Sequence, residues 1–352
     1  MGIPVPVLPK HPGLRPGRPE TAQDRTIRIG IPRALFYYIY FPFWETFFTE
    51  LGAEVVVSDP TTRKILEDGL NGSSNELCLP IKLLHGHIVN LKDRCDFVFL
   101  PYIISTQKGS YYCPKLIAAP DIAKAGIRGL SLMSADVDIE NFYSSLYSSL
   151  KEVASKLTTN PVRIYAAYRK AMARQAVFEG YVQGGTLFND ALSRMRGKAL
   201  AKNVAGARPA RGGPVIAVIG HTYLFNDAYI SFDLIGKLRK MGGRIVTSDT
   251  LSAGLVNKTL STLESRTHWS LGNRVIGSAI HYSRRNDVDG IIYITPFGCS
   301  PDSLIKEYID ANLGRKKPML LLTVDEHSGD AGVVTRLEAF FDMIARTAPR
   351  AG

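Results

Sequence analysis

Four cysteines carry the residue chemistry of this chain, and three of them share one local grammar. Cys78-Leu-Pro80, Cys113-Pro114 and Cys299-Ser-Pro301 each place a proline one or two residues after the sulfur. Helix-like runs follow each, over residues 81–91, 115–124 and 302–311. Proline is tolerated in a first helical turn because the amide it replaces has no intrahelical partner there. Each sulfur is therefore expected at or just before a helix N-terminus. Free N–H groups and the positive dipole end at that position favour a thiolate and lower its pKa. Three thiolates gathered in this way suit an anionic cluster of iron and sulfide. The competing reading is three structural cysteines that happen to sit beside helix starts. Cys95 precedes a strand, lacks a following proline, and reads as a small apolar residue. No short Cys-x-x-Cys pair occurs, which argues against zinc ribbons and ferredoxin-type sites.

Other polar residues could serve such a centre. His85-Gly86-His87 invites a shared-metal reading, but residues two apart do not share a helix face. His85 is expected either to pack or to act beside the cluster as a proton donor or sulfur partner. Lys82 follows Cys78 by one turn, where it would offset cluster charge or be solvated. Asp325-Glu326-His327 follows a strand, so Glu326 and His327 could shuttle protons or simply cap the next helix. Arg33, in the first strand–helix turn, is a candidate anion holder, and Gly220-His221-Thr222 occupies the matching turn in the second half. The aromatic run Tyr37, Tyr38, Tyr40, Phe41, Phe43 and Trp44 reads as core.

The elements that must position these residues alternate short apolar runs with longer amphipathic ones, the pattern of parallel sheets with crossover helices. One half opens with a strand at 27–31, a helix over 43–51 and a strand at 54–58. The other repeats the plan with a strand at 215–219, a helix over 229–241 and a strand at 244–247. Leu51-Gly-Ala-Glu-Val-Val-Val-Ser-Asp59 aligns with Met241-Gly-Gly-Arg-Ile-Val-Thr-Ser-Asp249. Asp96-Phe-Val-Phe-Leu-Pro101 has its echo in Asp289-Gly-Ile-Ile-Tyr-Ile-Thr-Pro296, and further strands are expected near 126–132 and 319–324. Two similar doubly wound lobes follow, at residues 26–140 and 214–347, the second ending in a helix. Residues 141–213 form a helical connector, with helices over 141–157 and 161–200 and a Gly/Pro/Arg-rich linker. Residues 1–25 read as a mobile tail. Ligands of open parallel sheets bind beyond the carboxyl ends of the strands, which would turn Cys113 and Cys299 towards one cleft.

With 352 residues and 45% apolar content, the chain is long enough for two globular domains. No apolar stretch approaches the ~20 residues of a membrane span, and no signal-peptide core is seen, so the cytoplasm is the expected compartment. The net charge of +11 is partly local. Arg194, Arg196, Lys198, Lys202, Arg208 and Arg211 form a basic run, either a solvated linker face or a dock for an anionic ligand. Without interleaved aromatics or a binding motif, nucleic acid is not an expected partner.

Four segments together resemble one known group. They are Ile29-Gly-Ile-Pro-Arg-Ala-Leu, Asn75-Glu-Leu-Cys-Leu-Pro-Ile-Lys-Leu-Leu-His-Gly-His, Pro296-Phe-Gly-Cys-Ser-Pro-Asp-Ser and Asp325-Glu-His-Ser-Gly-Asp-Ala-Gly-Val-Val-Thr-Arg-Leu-Glu-Ala-Phe. The group is the acyl-CoA dehydratase activase-related proteins, kin to the iron–sulfur subunits of 2-hydroxyacyl-CoA dehydratases. The resemblance implies paired flavodoxin-like lobes with a [4Fe–4S] cluster between them, held by Cys78, Cys113 and Cys299 with one iron open. It also implies an ATP-hydrolysing activator, acting in trans, that delivers one low-potential electron. That electron lets a 2-hydroxyacyl-CoA lose water through a ketyl radical. This sequence has no Asp-x-Gly-Ser/Thr phosphate loop or P-loop, so ATP hydrolysis is expected of the partner. Expected partners are thus the activator, an acyl-CoA or small-molecule substrate and a second copy of the chain, without nucleic acid or membrane. Whether the chain is itself an enzyme stays open. The alternative is a non-catalytic accessory subunit whose cluster serves assembly, sensing or docking.

Overall fold

The computed structural model describes residues 25–138, 146–197, 212–263, 267–313 and 317–347. The expected tail, apart from Arg25, and Lys198, Lys202, Arg208 and Arg211 of the basic run lie outside the described residues. In chain order the first part contains β1 (Arg28–Ile31), α1 (Tyr37–Glu50), β2 (Glu54–Val57), α2 (Arg63–Asn71), α3 (Leu79–Leu91) and β3 (Phe97–Phe99). There follow β4 (Tyr102–Gln107), β5 (Ser110–Tyr111), α4 (Pro114–Ile117), α5 (Ala119–Gly126), β6 (Leu132–Met133) and β7 (Asp136–Asp138). The connecting helices are α6 (Leu146–Ser155), α7 (Pro161–Gln183) and α8 (Phe188–Met195). The last part holds β8 (Val215–Gly220), α9 (Thr222–Phe225), α10 (Leu234–Lys240), β9 (Arg244–Thr247), α11 (Ala253–Leu260) and α12 (Ser270–Arg284). It closes with β10 (Gly290–Pro296), α13 (Ser300–Leu313), β11 (Met319–Val324) and α14 (Asp330–Thr347).

Two four-stranded sheets, β2-β1-β3-β6 and β9-β8-β10-β11, are parallel throughout. Both follow the order second, first, third, fourth strand, so the α/β class and the parallel sheets expected from the sequence are present. The repeat extends to conformation. Gly52 and Gly242 both take a left-handed φ, +87° and +83°. Each ends its helix with the same paired bonds: Gly52 N–H to Thr49 O and Ala53 N–H to Phe48 O, then Gly242 N–H to Arg239 O and Gly243 N–H to Leu238 O. Glycine is required there because a Cβ penalises that φ.

Strands β8 and β10 are buried at every position, as parallel strands covered on both faces must be. Their side chains alternate between two cores. Ile216, Val218, Ile292 and Ile294 join the core that also holds the aromatics of α1, while Val215, Ala217, Ile219, Ile291 and Tyr293 face α11 and α12. Tyr37, Tyr38, Phe41, Phe43 and Trp44 are buried, as expected of core residues.

Several boundaries depart from expectation for local reasons. Helix α1 begins at Tyr37, earlier than the expected residue 43. The expected helix over 229–241 is shortened to α10, because Phe232 and Asp233 adopt φ of +54° and +50°. Asp227 holds that irregular turn through the amides of Tyr229 (2.9 Å) and Ile230 (3.4 Å). The long connector helix breaks at Gly184, with Gly185 at φ +88°. The expected strand near 126–132 shrinks to β6, residue 126 belonging to α5. A third sheet, β5-β4-β7, was not foreseen; β4 pairs antiparallel with β5 and parallel with β7.

Helices α2 and α3 cross at backbone contact. A Cβ on Gly69 would lie 2.1 Å from the Lys82 carbonyl oxygen, and one on Gly86 would lie 1.9 Å from that of Ile65. Backbone cannot yield as a side chain can, so Gly86→Ala is expected to cost about 3 kcal/mol and to lower the thermal midpoint. Gly180→Ala, in open space on α7, should be neutral or gain up to ~1 kcal/mol. Thermal melts of the two variants beside the parent check this.

Candidate metal centre at a thiol-lined cavity

Cys78 is the N-cap of α3, with φ −70° and ψ 155°, and Cys113 the N-cap of α4, with φ −58° and ψ 139°. Cys299 immediately precedes α13, after a turn in which Gly298 takes φ +72°. Their routes differ. Cys299 follows β10 directly, its amide bonded to Pro296 O at 3.3 Å. Cys113 follows the β4–β5 hairpin, which is tied to the second half of the chain by Tyr111 N–H to His268 O at 2.7 Å. All three line one cavity of about 30 Å³, with His221, Tyr223 and Trp269 among its other walls.

Cys78 and Cys299 do not have the lowered pKa expected at helix starts. Burial pushes Cys78 up, against the opposing pull of the Ile81 amide and Lys115, and the Cys113 sulfur adds to the rise. The Ile81 N–H faces the sulfur without a full capping bond. Burial pushes Cys299 further up, followed by the Asp302 charge, while Cys78 and Cys113 also raise it and the Asp302 amide opposes. Desolvation therefore outweighs the helix starts. Three half-buried sulfurs at one cavity are stable together as mutually repelling thiolates only beside a strong positive charge, and a bound metal supplies one. The donor set thus fits a thiolate-held metal centre.

His221 caps α9 at the carboxyl end of β8, with 5% of its surface exposed. Its Nε2 stands 3.1 Å from Asp302 Oδ1, and Thr295 Oγ1 donates to Asp302 Oδ2 at 2.8 Å. Burial alone would raise the Asp302 carboxyl, but His221 and the Thr295 and Tyr293 hydroxyls hold it below its ordinary value. Donor atoms of His221, Cys299 and Asp302 all lie within 4.8 Å of one another, close enough to hold a metal ion. His221 Nδ1 is buried without a hydrogen-bond partner.

The remaining expected residues lie elsewhere, and none of them lines the thiol cavity. Lys82, far from solvated, is buried and pairs with Glu326 Oε1 at 2.7 Å. His85 is fixed by Ser73 Oγ (2.9 Å) and Gly72 O (3.2 Å), and burial lowers its pKa. His87 points to other partners, Ser58 Oγ (2.9 Å) and Thr61 Oγ1 (3.0 Å), consistent with the lack of a shared face. His327 is exposed, its amide bonded to Asp325 Oδ1 at 2.9 Å. Arg33 donates to Ser58 O at 3.2 Å and lies over the Tyr37 ring. Cys95 donates to Leu91 O at 3.3 Å and packs on Gly30, where a Cβ would come within 2.6 Å of its sulfur.

A larger cavity of about 220 Å³ adjoins the thiols, with His221 and Leu271 in both walls. It exposes Tyr40, Tyr112, Glu179, Asp249 and Arg274. Burial raises the Asp249 carboxyl, countered by Arg274 and by the Thr222 hydroxyl donating at 2.5 Å. Sequence reasoning passed over Asp302, Tyr223, Trp269, Asp249 and Arg274. Only Asp302 carried a signal, as the residue three beyond a helix-starting cysteine.

Parallel sheets whose helix starts gather thiols, an imidazole and a carboxylate define an α/β protein with a cavity lined by donors that could hold a metal. The chain belongs to the CoA enzyme activase uncharacterised domain family, whose model matches residues 28–251. Cys78 and Cys113 fall within the match; Cys299 and Asp302 lie beyond it. No curated protein matches the chain. Among solved structures, it is similar to the C-terminal domain of glucosamine-fructose-6-phosphate aminotransferase from Francisella tularensis, at 10% identity over 91% of this chain and 85% of that one, with a TM-score of 0.22. A putative phosphosugar isomerase from Bacillus subtilis gives 11% identity over 92% and 89%, with a TM-score of 0.21. At such TM-scores neither bears on the site.

Lys82 also holds the Glu326 carboxyl below its ordinary value of 4.5. A depressed carboxyl contributes stability that is complete above the unfolded value and fades as pH falls through the folded one. Lys82→Met is expected to cost about 1–3 kcal/mol near neutral pH. The gap from the parent should close below pH 4.5, and urea melts across pH measure both effects.

Proposed function

We propose that this chain is a [4Fe–4S] redox protein with its cluster on Cys78, Cys113 and Cys299. In this reading it receives single low-potential electrons from a separate ATP-hydrolysing activator and uses them on a small or CoA-linked substrate. One observation carries the reading: three sulfurs from three separate helix starts line a single cavity. The family match, by its description, adds the link to CoA chemistry. The shared strand order of the parallel sheets supports two flavodoxin-like lobes, 26–140 and 214–347, around residues 141–213, with the cytoplasm as the working compartment.

When bound, the cluster would supply reversible one-electron chemistry at low potential. The chain's own residues have narrower tasks. Amides of Ile81 and Asp302 face two of the sulfurs and favour their charged form. Tyr223 and Trp269 help wall the cavity from water. The adjoining cavity, about 220 Å³, is below the ~300–1,000 Å³ that encloses a drug-sized ligand. A CoA thioester would therefore present only its acyl end. The accessory reading has one observation in its favour. Two charged groups of that cavity already have protein partners, Arg274 on Ser248 O and Leu251 O and Asp249 on Thr222.

Anaerobic purification is expected to yield a brown protein with about four irons per chain. Cys78→Ser, Cys113→Ser and Cys299→Ser should each lose that iron, while Cys95→Ser keeps it. Zinc, or no metal, under those conditions would sink the proposal. Reduction of the loaded protein without turnover of any 2-hydroxyacyl-CoA in a broad panel would favour the accessory role.

A further inference from the structure

We propose that His221 is the fourth protein ligand of the centre held by Cys78, Cys113 and Cys299, coordinating through Nδ1, with Asp302 as its positioning residue. The inference rests on the cluster reading above and concerns the iron that three cysteines leave open.

A donor atom of the imidazole lies within 4.8 Å of the Cys299 sulfur. His221 shares the wall of the thiol cavity, and its ring is buried. A buried ring nitrogen without a partner costs free energy, so native structures rarely keep one idle. Nδ1 of His221 is such an atom, and Asp302 Oδ1 is likewise left without a fully formed hydrogen bond. The Nε2–Oδ1 separation of 3.1 Å is short enough that a slight ring rotation aligns the N–H with the carboxylate. The carboxylate thereby selects the tautomer with its proton on Nε2 and leaves the Nδ1 lone pair free. This is the carboxylate–histidine–metal arrangement that fixes ring orientation and strengthens the donor.

One further contact and the helix start hold the carboxylate still. Thr295 Oγ1 donates to its other oxygen at 2.8 Å, and the residue sits in the first turn of the helix that Cys299 begins. Asp302 is buried at 2% exposure, so its charge is not dissipated in water. The same strand-end position in the first half of the chain carries Pro32, and the Arg33 that follows it turns towards Ser58 and Tyr37 instead. His221 is thus a feature of one half of the repeat only. A histidine in this position would also close the iron to substrates in the adjoining cavity until the ring moves, and His221 lies in the wall common to both.

The test is pulsed electron paramagnetic resonance on the anaerobically purified, reduced protein, with iron and sulfide counted on the same sample. The expected spectrum shows the hyperfine coupling of a directly bonded nitrogen. In His221→Ala that coupling should vanish while the iron content stays within about 20% of the parent. His221→Cys should retain the iron, lose the nitrogen coupling and lower the reduction potential, because a thiolate adds negative charge to the centre. A purely structural histidine would produce neither spectral change. Four irons without a bonded nitrogen in the parent, or a coupling that survives His221→Ala, overturns the ligand assignment and leaves the cluster standing. A preparation with zinc or no metal overturns both together.

Discussion

Gathering three half-buried thiols at one small cavity is the constraint on which the rest of this structure depends. Cys78 and Cys113 come from the first half of the chain and Cys299 from the second, so their meeting requires the two parallel sheets to be held in one register. Polar contacts between the two halves of the chain do so. Lys82 reaches Glu326 at 2.7 Å, Tyr111 N–H reaches His268 O at 2.7 Å, and the Ser110 and Ser270 hydroxyls meet at 3.1 Å. Thr61 adds a short bond to Asp227. A single continuous core, running from the aromatics of α1 to one face of the second sheet, supplies the apolar share.

The histidines show how environment, not residue type, assigns a role. His87 has both ring nitrogens occupied by hydroxyls, and burial drives its pKa down to about 3, so it stays neutral. His85 has one nitrogen tied to a turn and sits against Gly126, where a Cβ would come within 2.7 Å of its ring. His327 faces solvent on a loop organised by Asp325. Among the described histidines, His221 alone combines burial, a buried carboxylate neighbour and the thiol cavity.

Much of this was legible in the sequence, and the limits are physical. Proline after each cysteine marks a helix start by local sterics, and all three starts are where that rule puts them. The repeated Gly-x-x-Val/Ile-Val segments gave away the paired sheets, because a glycine C-cap followed by an apolar strand is a local signal. The thiol pKa went the other way, because desolvation is a property of the assembled cavity and no local motif encodes it. The Lys82–Glu326 pair was missed for a related reason: the partners are far apart in sequence and only sheet register joins them. The β4–β5 hairpin escaped because the apolar start of β4 runs on from β3 across Leu100-Pro101, and β5 is only two residues long.

The central claim is an iron–sulfur centre between the sulfurs of Cys78, Cys113 and Cys299. Anomalous diffraction at the iron absorption edge, from crystals grown anaerobically, tests it most directly. Iron peaks are expected within bonding distance of all three sulfurs. A cavity without iron scattering, or one with a single peak at the zinc edge, would contradict it.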